Sequence, residues 1–248
     1  MENTPIFFAD GENPRMIEAH KKAQETFKYF WRELSWEYRR IVPGLDVACV
    51  KLAFTQEIDG EILVEHMWIN DINFDGDTIY GVLVNQPDEL TNVNNGDEVQ
   101  IPVNQISDWL FAIQGKTYGA FTIHAMRSEM DENERKEHDK AWGLEFGDFD
   151  DIQVVSDQKE KPENLIEHPM SKNMKDSLVD FLKNNPKELT SKDELGYTFL
   201  HLETIAGNKT SVEVLLKSGA DTTAKTNNGK TPLDFAKQLN WEHLIPLL

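Results

Sequence analysis

Gly196 and Gly229 lie 33 residues apart, and the apolar positions around them keep the same step. Val179, Val212 and Ile245 form one column at that interval, and Leu182, Leu215 and Leu248 form a second. A 33-residue period points residues 174–248 toward stacked helical hairpins, because one hairpin cannot bury its apolar face without a neighbour. Such a stack usually needs three units, and this stretch holds fewer than three complete ones. It is therefore expected to dock on the preceding domain or to be marginal alone.

The residues on this period carry a resemblance. Thr198-Phe199-Leu200-His201, then Gly207, then Val212 to Asp221, resemble one ankyrin repeat, and Thr231-Pro232-Leu233-Asp234-Phe235-Ala236 resembles the start of the next. Residues 174–190 read as the outgoing helix of an atypical first unit. The resemblance implies an all-α repeat domain that recognises other proteins. It also implies that His201 bonds backbone between units rather than doing chemistry. The turn tips at Asp193-Glu194 and Asn227-Asn228 are the candidate contact residues. The pattern is broken at Glu203 and Thr204, where ankyrin repeats carry two alanines that let the paired helices approach. A carboxylate there must reach solvent or a partner, or the helix must tilt.

The first 155 residues follow another grammar. A turn at Asp10-Gly11 precedes Asn13-Pro14, a cap followed by a first helical residue. Ile17, Ala23, Phe27, Phe30, Trp31 and Leu34 then recur at helical spacing, predicting a helix over 14–35 whose stripe is core. Beyond Pro43-Gly44 the runs 47–54, 61–70 and 78–84 read as strands, with hairpin turns at Asp59-Gly60 and Asp75-Gly76. A strand through Val99, Ile101 and Val103, a short helix over 104–112, a strand over 119–125 and a surface helix over 128–140 complete an antiparallel α+β domain. Residues 156–173, polar and aperiodic with Pro162 and Pro169, read as a linker. Trp68 to Asp77, Gly81 to Pro87, Gly96-Asp97 and Ile106-Ser107-Asp108-Trp109 resemble the bacterial YegJ-like domain of unknown function over residues 15–125. That resemblance implies a fold and no chemistry. The two resemblances together imply a setting among bacterial toxin–antitoxin and immunity neighbourhoods, where proteins with either module turn up.

Charge separates the two parts as sharply as periodicity does. Residues 1–160 hold 32 Asp and Glu against 14 Lys and Arg, whereas residues 161–248 hold 12 against 11, so nearly all of the net charge of −19 lies in the first part. Residues 52–115 contain twelve carboxylates and no lysine or arginine, and residues 128–151 contain ten carboxylates against three bases. Such a field repels nucleic acid and anionic lipid and steers a basic partner inward. Glu132, Glu134, Asp148 and Asp150 are the acidic residues assigned to that encounter, and a solvated surface that aids solubility is the plainer reading of the same charge. No apolar run approaches 18 residues and no basic-then-apolar leader opens the chain, so a cytoplasmic protein is expected. The single cysteine, Cys49, sits in an apolar run and reads as an inert buried thiol.

Sites for chemistry are few. Asp71-Ile72-Asn73-Phe74-Asp75-Gly76 opens like a calcium loop, but Val82 stands where the bidentate Glu belongs, so it reads as a hairpin turn. Glu134 and His138 share a helical face without a third ligand, and a solvated helix face is the simpler reading. His66, His124 and His138 are the candidate histidine ligands or bases, and Glu65 and His66 must point to opposite faces of one strand. Asp108 is expected to cap or orient a turn while Trp109 buries its ring. A ligand contact there is the rival reading. No phosphate loop, metal spacing or nucleophile elbow is present. The expectation is a non-catalytic protein, without cofactor or metal, that binds a basic protein such as a toxin, as an immunity or antitoxin-like protein does. An enzyme with a scattered site in the N-terminal domain and a general ankyrin adaptor are the alternatives.

Overall fold

The computed structural model describes residues 13–248, which leaves the Asp10-Gly11 turn outside the described residues. The chain divides into two compact units. One holds the described residues through Phe30 together with Arg40–Ser156; the other holds Trp31–Arg39 together with Asp157–Leu248. The division does not follow a single cut, because helix α1 (Pro14–Glu37) contributes to both.

In the first unit, six strands form one sheet of order β4-β3-β2-β1-β5-β6, with every neighbouring pair antiparallel. They are β1 (Val47–Ile58), β2 (Glu61–Phe74), β3 (Thr78–Leu83), β4 (Glu98–Pro102), β5 (Ile106–Ile113) and β6 (Lys116–Gly119). The β1–β2 hairpin turns on Asp59 (φ 53°) and Gly60 (φ 84°), the left-handed pair that a two-residue Asp-Gly loop requires. At the next hairpin Asp75 instead accepts from the N–H groups of Asp77 and Thr78, both at 2.8 Å, and from the Tyr80 hydroxyl at 3.0 Å.

Met16, Ala19, Ala23, Phe27 and Phe30 of α1 are buried, whereas Ile17 is 57% exposed, which removes it from the expected stripe. Phe27 meets Phe74 edge-on at 5.2 Å, and Phe30 meets Trp109 at 5.9 Å. The Trp109 indole donates to the Ala23 carbonyl at 3.0 Å and Gln24 donates to that of Ile106 at 2.9 Å, so α1 is anchored by polar bonds within an apolar interface.

Two elements differ from their sequence reading. The segment read as a helix over 104–112 is a short 3-10 turn, Val103–Gln105, running into β5. Ile106 to Ala112 are all buried, so both faces of β5 are covered and the two-residue alternation that marks a half-exposed strand is lost. The segment read as a strand over 119–125 is helix α2 (Phe121–Arg127), for a reason given below. Helix α3 (Glu132–Trp142) begins later than expected because Asp131 supplies a complete capping box with Glu134.

The second unit holds α4 (Pro169–Asn173), α5 (Lys175–Asn184), α6 (Phe199–Ile205), α7 (Lys209–Lys217) and α8 (Pro232–Gln238). Of the two 33-residue columns, Leu182, Val212 and Leu215 are buried and Val179, Ile245 and Leu248 are half-buried. Within the segment read as a linker, residues 157–173 group with the second unit. They contain a 3-10 turn, Pro162–Leu165, and α4, and they bury Asn164, Glu167, His168 and Ser171. Arg32 of α1 donates to the carbonyls of Asn164 and Leu165, and Glu33 bonds His168 Nε2 at 2.9 Å. The bonds from Arg32 and Glu33 span more than 130 positions, which local periodicity cannot reveal, while Glu167 accepts from Ser171 and from Thr210 N–H.

Candidate functional site

The 33-residue step reappears as duplicated geometry. Thr198 and Thr231 cap α6 and α8 with nearly the same backbone angles, φ −95° and −94°, and each closes a capping box three residues on. Ahead of each cap the chain makes the same turn: Gly196 N–H donates to Asp193 O at 3.0 Å, and Gly229 N–H to Thr226 O at 2.9 Å. The two turns are bonded to each other. Asn227 donates through its backbone to Leu195 O at 2.9 Å and through its side chain to Glu194 O at 3.0 Å, while Lys192 Nζ reaches Lys225 O at 2.8 Å. His201 links them again, with Nε2 3.2 Å from Lys230 O. Of the four predicted tip residues, Asp193 and Asn227 thus build the turns, and Glu194 and Asn228 are exposed beside them.

Glu203 resolves its own anomaly. Its carboxylate is fully buried, yet it receives Arg39 Nη2 at 2.7 Å and Asn208 Nδ2 at 2.8 Å. Asn208 in turn accepts from the Trp36 indole at 3.0 Å, and the Arg39 guanidinium lies 4.5 Å from the Trp36 ring. Thr204 turns its hydroxyl back onto Leu200 O at 2.7 Å. Both departures from the alanine pattern are therefore satisfied, and α6 remains regular. Gly207 (φ 70°) follows it, where any Cβ would enter the Trp241 ring.

The acidic segment is more ordered than its charge suggests. Glu132, Glu134, Asp148 and Asp150 are all exposed. Glu132 pairs with Lys136 at 2.5 Å, Glu134 closes the α3 cap by accepting from Asp131 N–H at 2.7 Å, and Asp148 accepts from Asp150 N–H at 3.0 Å. The Glu134/His138 pair weighed as metal ligands does not converge, since His138 is buried and bonds Asp139 at 2.9 Å. Asp139 also holds buried Arg127 through two bonds of 3.0 and 2.8 Å, and Arg127 reaches Gly147 O at 3.0 Å. Asp150 borders a cleft of about 370 Å³ with Arg15, Glu18, Lys22 and His124.

His124 gives this region an acid response. Burial first, and then the Arg127 charge, lower it from its ordinary 6.5 to about 4. The folded protein keeps it neutral while the unfolded chain protonates near its ordinary value, so this stability is complete above that value and is lost as pH falls toward the folded one. The loss amounts to about 2 kcal/mol by pH 5. Urea unfolding at pH 7.5 and at pH 5 is expected to show a drop in the native chain that exceeds the drop in His124→Gln by about that amount, the remainder coming from other histidines that burial holds low, His66 among them. Identical pH slopes for the two proteins would exclude His124 as the source.

On the sheet, Asp108 of β5 lies opposite Lys51 of β1, and Lys51 lies opposite Trp68 of β2. The Asp108 carboxylate is completely buried and caps α2. Oδ1 accepts from Trp109 and Phe121 N–H at 2.8 and 2.9 Å, and Oδ2 from Thr122 N–H and hydroxyl at 2.7 and 2.6 Å. This explains why 121–127 is helical: Ala120, its own N-cap residue, is left-handed (φ 59°) and offers no side-chain cap, so the cap comes from another strand. Burial raises the Asp108 carboxyl, against the pull of Thr122 and Lys51. Glu65 and His66 do face opposite ways. Glu65 accepts from Asp88, Glu89 and Leu90 N–H, which hold it below the ordinary carboxylate range although burial alone would raise it. Cys49 is buried and its thiol is pushed up by burial. Among the described residues no group of three or more His, Cys, Asp or Glu gathers as a metal site, and no helix is long and apolar enough to cross a membrane.

Comparison with known proteins places the sheet unit. The bacterial family described as "Uncharacterized protein conserved in bacteria (DUF2314)" matches residues 13–146, and the chain belongs to it. A protein of Neisseria meningitidis serogroup B, provisionally named an ankyrin repeat protein, is 50% identical over 249 residues, covering 100% of this chain and 98% of its own length. The uncharacterized protein YegJ of Escherichia coli K12 is 39% identical over 59 residues, 24% of this chain and 39% of YegJ, so the N-terminal domain is YegJ-like. Mouse oxysterol-binding protein-related protein 1 is 38% identical over 61 residues, 25% of this chain and 6% of that protein. No solved structure matches.

Proposed function

We propose that residues 174–248 form a short ankyrin stack and that the protein is a non-catalytic binder of another protein. The observation that carries this reading is the duplicated turn, with Asp193 and Thr226, Gly196 and Gly229, and Thr198 and Thr231 in matching roles and the two turns bonded together. A stack of this kind exposes its tips in a row on a rigid base, the arrangement that repeat proteins use for recognition. The name of the meningococcal relative supports the same assignment. A non-catalytic role is supported by the use of the titratable groups near the cleft: buried His124 and part-buried Asp139 both contact Arg127, as a framework does.

The partner we propose is a basic protein, with occlusion of a basic effector, as by an immunity or antitoxin-like protein, as the biological act. The net charge of −19 supports it, and so does the exposure of Glu132, Glu134, Asp148 and Asp150, whose local bonds leave the acidic excess of 128–151 in place. Capture with the full chain, followed by association kinetics, tests both halves. Raising salt from about 50 to about 500 mM shortens the Debye length from roughly 14 to roughly 4 Å and is expected to slow association about tenfold or more. Glu194→Lys with Asn228→Lys is expected to speed dissociation. An acidic partner, or association indifferent to salt, refutes the charge argument. Unchanged dissociation in the tip variant refutes the repeat surface.

A further inference from the structure

Lys51 is the last cation before the stretch 52–115, which has none, and its surroundings are unusual for a lysine. Its side chain is half-buried on the sheet, with Nζ 5.7 Å from the centroid of the Trp68 ring. The facing carboxylate of Asp108 cannot take its hydrogens, because four other donors already occupy both oxygens. Among the described residues the Lys51 ammonium has no hydrogen-bond or ion-pair partner. An ammonium that has lost part of its water without gaining an acceptor is costly, and its three donors call for one from outside the chain. Burial accordingly draws it below its ordinary range, and the Asp108 charge draws it back.

A second donor stands beside it. His66 lies opposite Ala53, two residues along each strand from the Trp68–Lys51 pair, so His66 and Lys51 are diagonal neighbours about 7–8 Å apart at their Cα atoms. The small Ala53 lets the imidazole cross β1, and its Nδ1 lies 2.5 Å from the hydroxyl of Ser107 at the β1–β5 bulge. We assign Ser107 as the donor there, which puts the ring hydrogen on Nε2, and Nε2 has no hydrogen-bond partner among the described residues. His20 of α1 stacks on the ring at 5.1 Å and fixes its plane. His66 is exposed, so the group is reachable from solvent.

We infer that Lys51, His66 and Trp68 form a binding site for a small oxyanion, a carboxylate or phosphate group held between the Lys51 ammonium and His66 Nε2–H beside the Trp68 ring. The site is independent of the proposed partner surface and opposite to it in charge preference. The surrounding chain repels anions, so binding here must come from local donors rather than from the general field.

The test uses the full chain at pH 7, with inorganic phosphate in one arm and acetate in the other, followed by the imidazole proton resonances and by calorimetry. Saturable binding of at least one anion, with the His66 and His20 resonances moving together, is expected. Phosphate preferred over acetate identifies a phosphate ligand, and the reverse identifies a carboxylate. Lys51→Met should weaken binding about tenfold or more, the value of one charge-assisted bond, while Lys51→Arg should largely retain it. His66→Phe tests the second donor without touching Lys51 and should also weaken binding. No saturable binding of either anion, or equal binding by the native chain and Lys51→Met, overturns the site.

Discussion

Asp108→Ala is expected to destabilise the sheet unit by at least about 4 kcal/mol. The side chain accepts from three backbone N–H groups and one hydroxyl in a fully buried setting, and each buried donor left without an acceptor costs about 1–3 kcal/mol. A loss this large is uncommon for a single substitution and identifies its mechanism. Hydrogen exchange makes the mechanism visible: the amides of Phe121 and Thr122 should lose protection ahead of the strands, because α2 has no other side-chain cap. Asp108→Asn should cost less, since one oxygen survives, but its amide nitrogen would oppose the Thr122 donors. If α2 kept native protection in Asp108→Ala, the capping account would be wrong.

The same residue shows where the sequence is legible and where it is not. Asp108 and Trp109 could be read as a turn-orienting acid beside a buried ring, and the structure has both. What could not be read was the object being capped, because Asp108 and the α2 start are 13–14 positions apart and Ala120 carries no local signal. Long amphipathic α1 and the Asp59-Gly60 hairpin were legible because each depends on neighbours within a turn or two. β5 was not, because burial on both faces erases the alternation. The 33-residue columns were visible, whereas the role of Trp31–Arg39 was not. Those residues continue a helix without any break in pattern, yet they group with Asp157–Leu248. Lys51 and His66 lie on one face by strand alternation, so their proximity could have been found. That Asp108 is saturated, leaving Lys51 without an acceptor, follows from α2 docking on β5, which no local pattern encodes.

Arg39→Met is expected to cost about 3–5 kcal/mol, the range for stranding one member of a buried ion pair, with partial hydration setting the result toward the lower end. The asymmetry of the pair decides which partner matters more. The Arg39 side chain is 38% exposed and can return to water, whereas that of Glu203 is 1% exposed and cannot. Removing the arginine therefore leaves an uncompensated charge inside the helical unit. Glu203→Gln keeps an acceptor for Asn208 and discards the charge, so alone it should cost only about 1 kcal/mol. Combined with Arg39→Met, it should recover much of the loss, because the stranded charge is gone. A double-mutant cycle on urea midpoints measures this coupling, expected at about 1–3 kcal/mol. Strictly additive losses would mean that Arg39 acts through its stacking on Trp36 alone. The consequence reaches the repeat reading itself. A cut near residue 155, where the sequence suggests one, would separate Glu203 and Asn208 from Arg39 and Trp36 and His168 from Glu33, leaving the C-terminal segment with buried polar groups that have lost their partners.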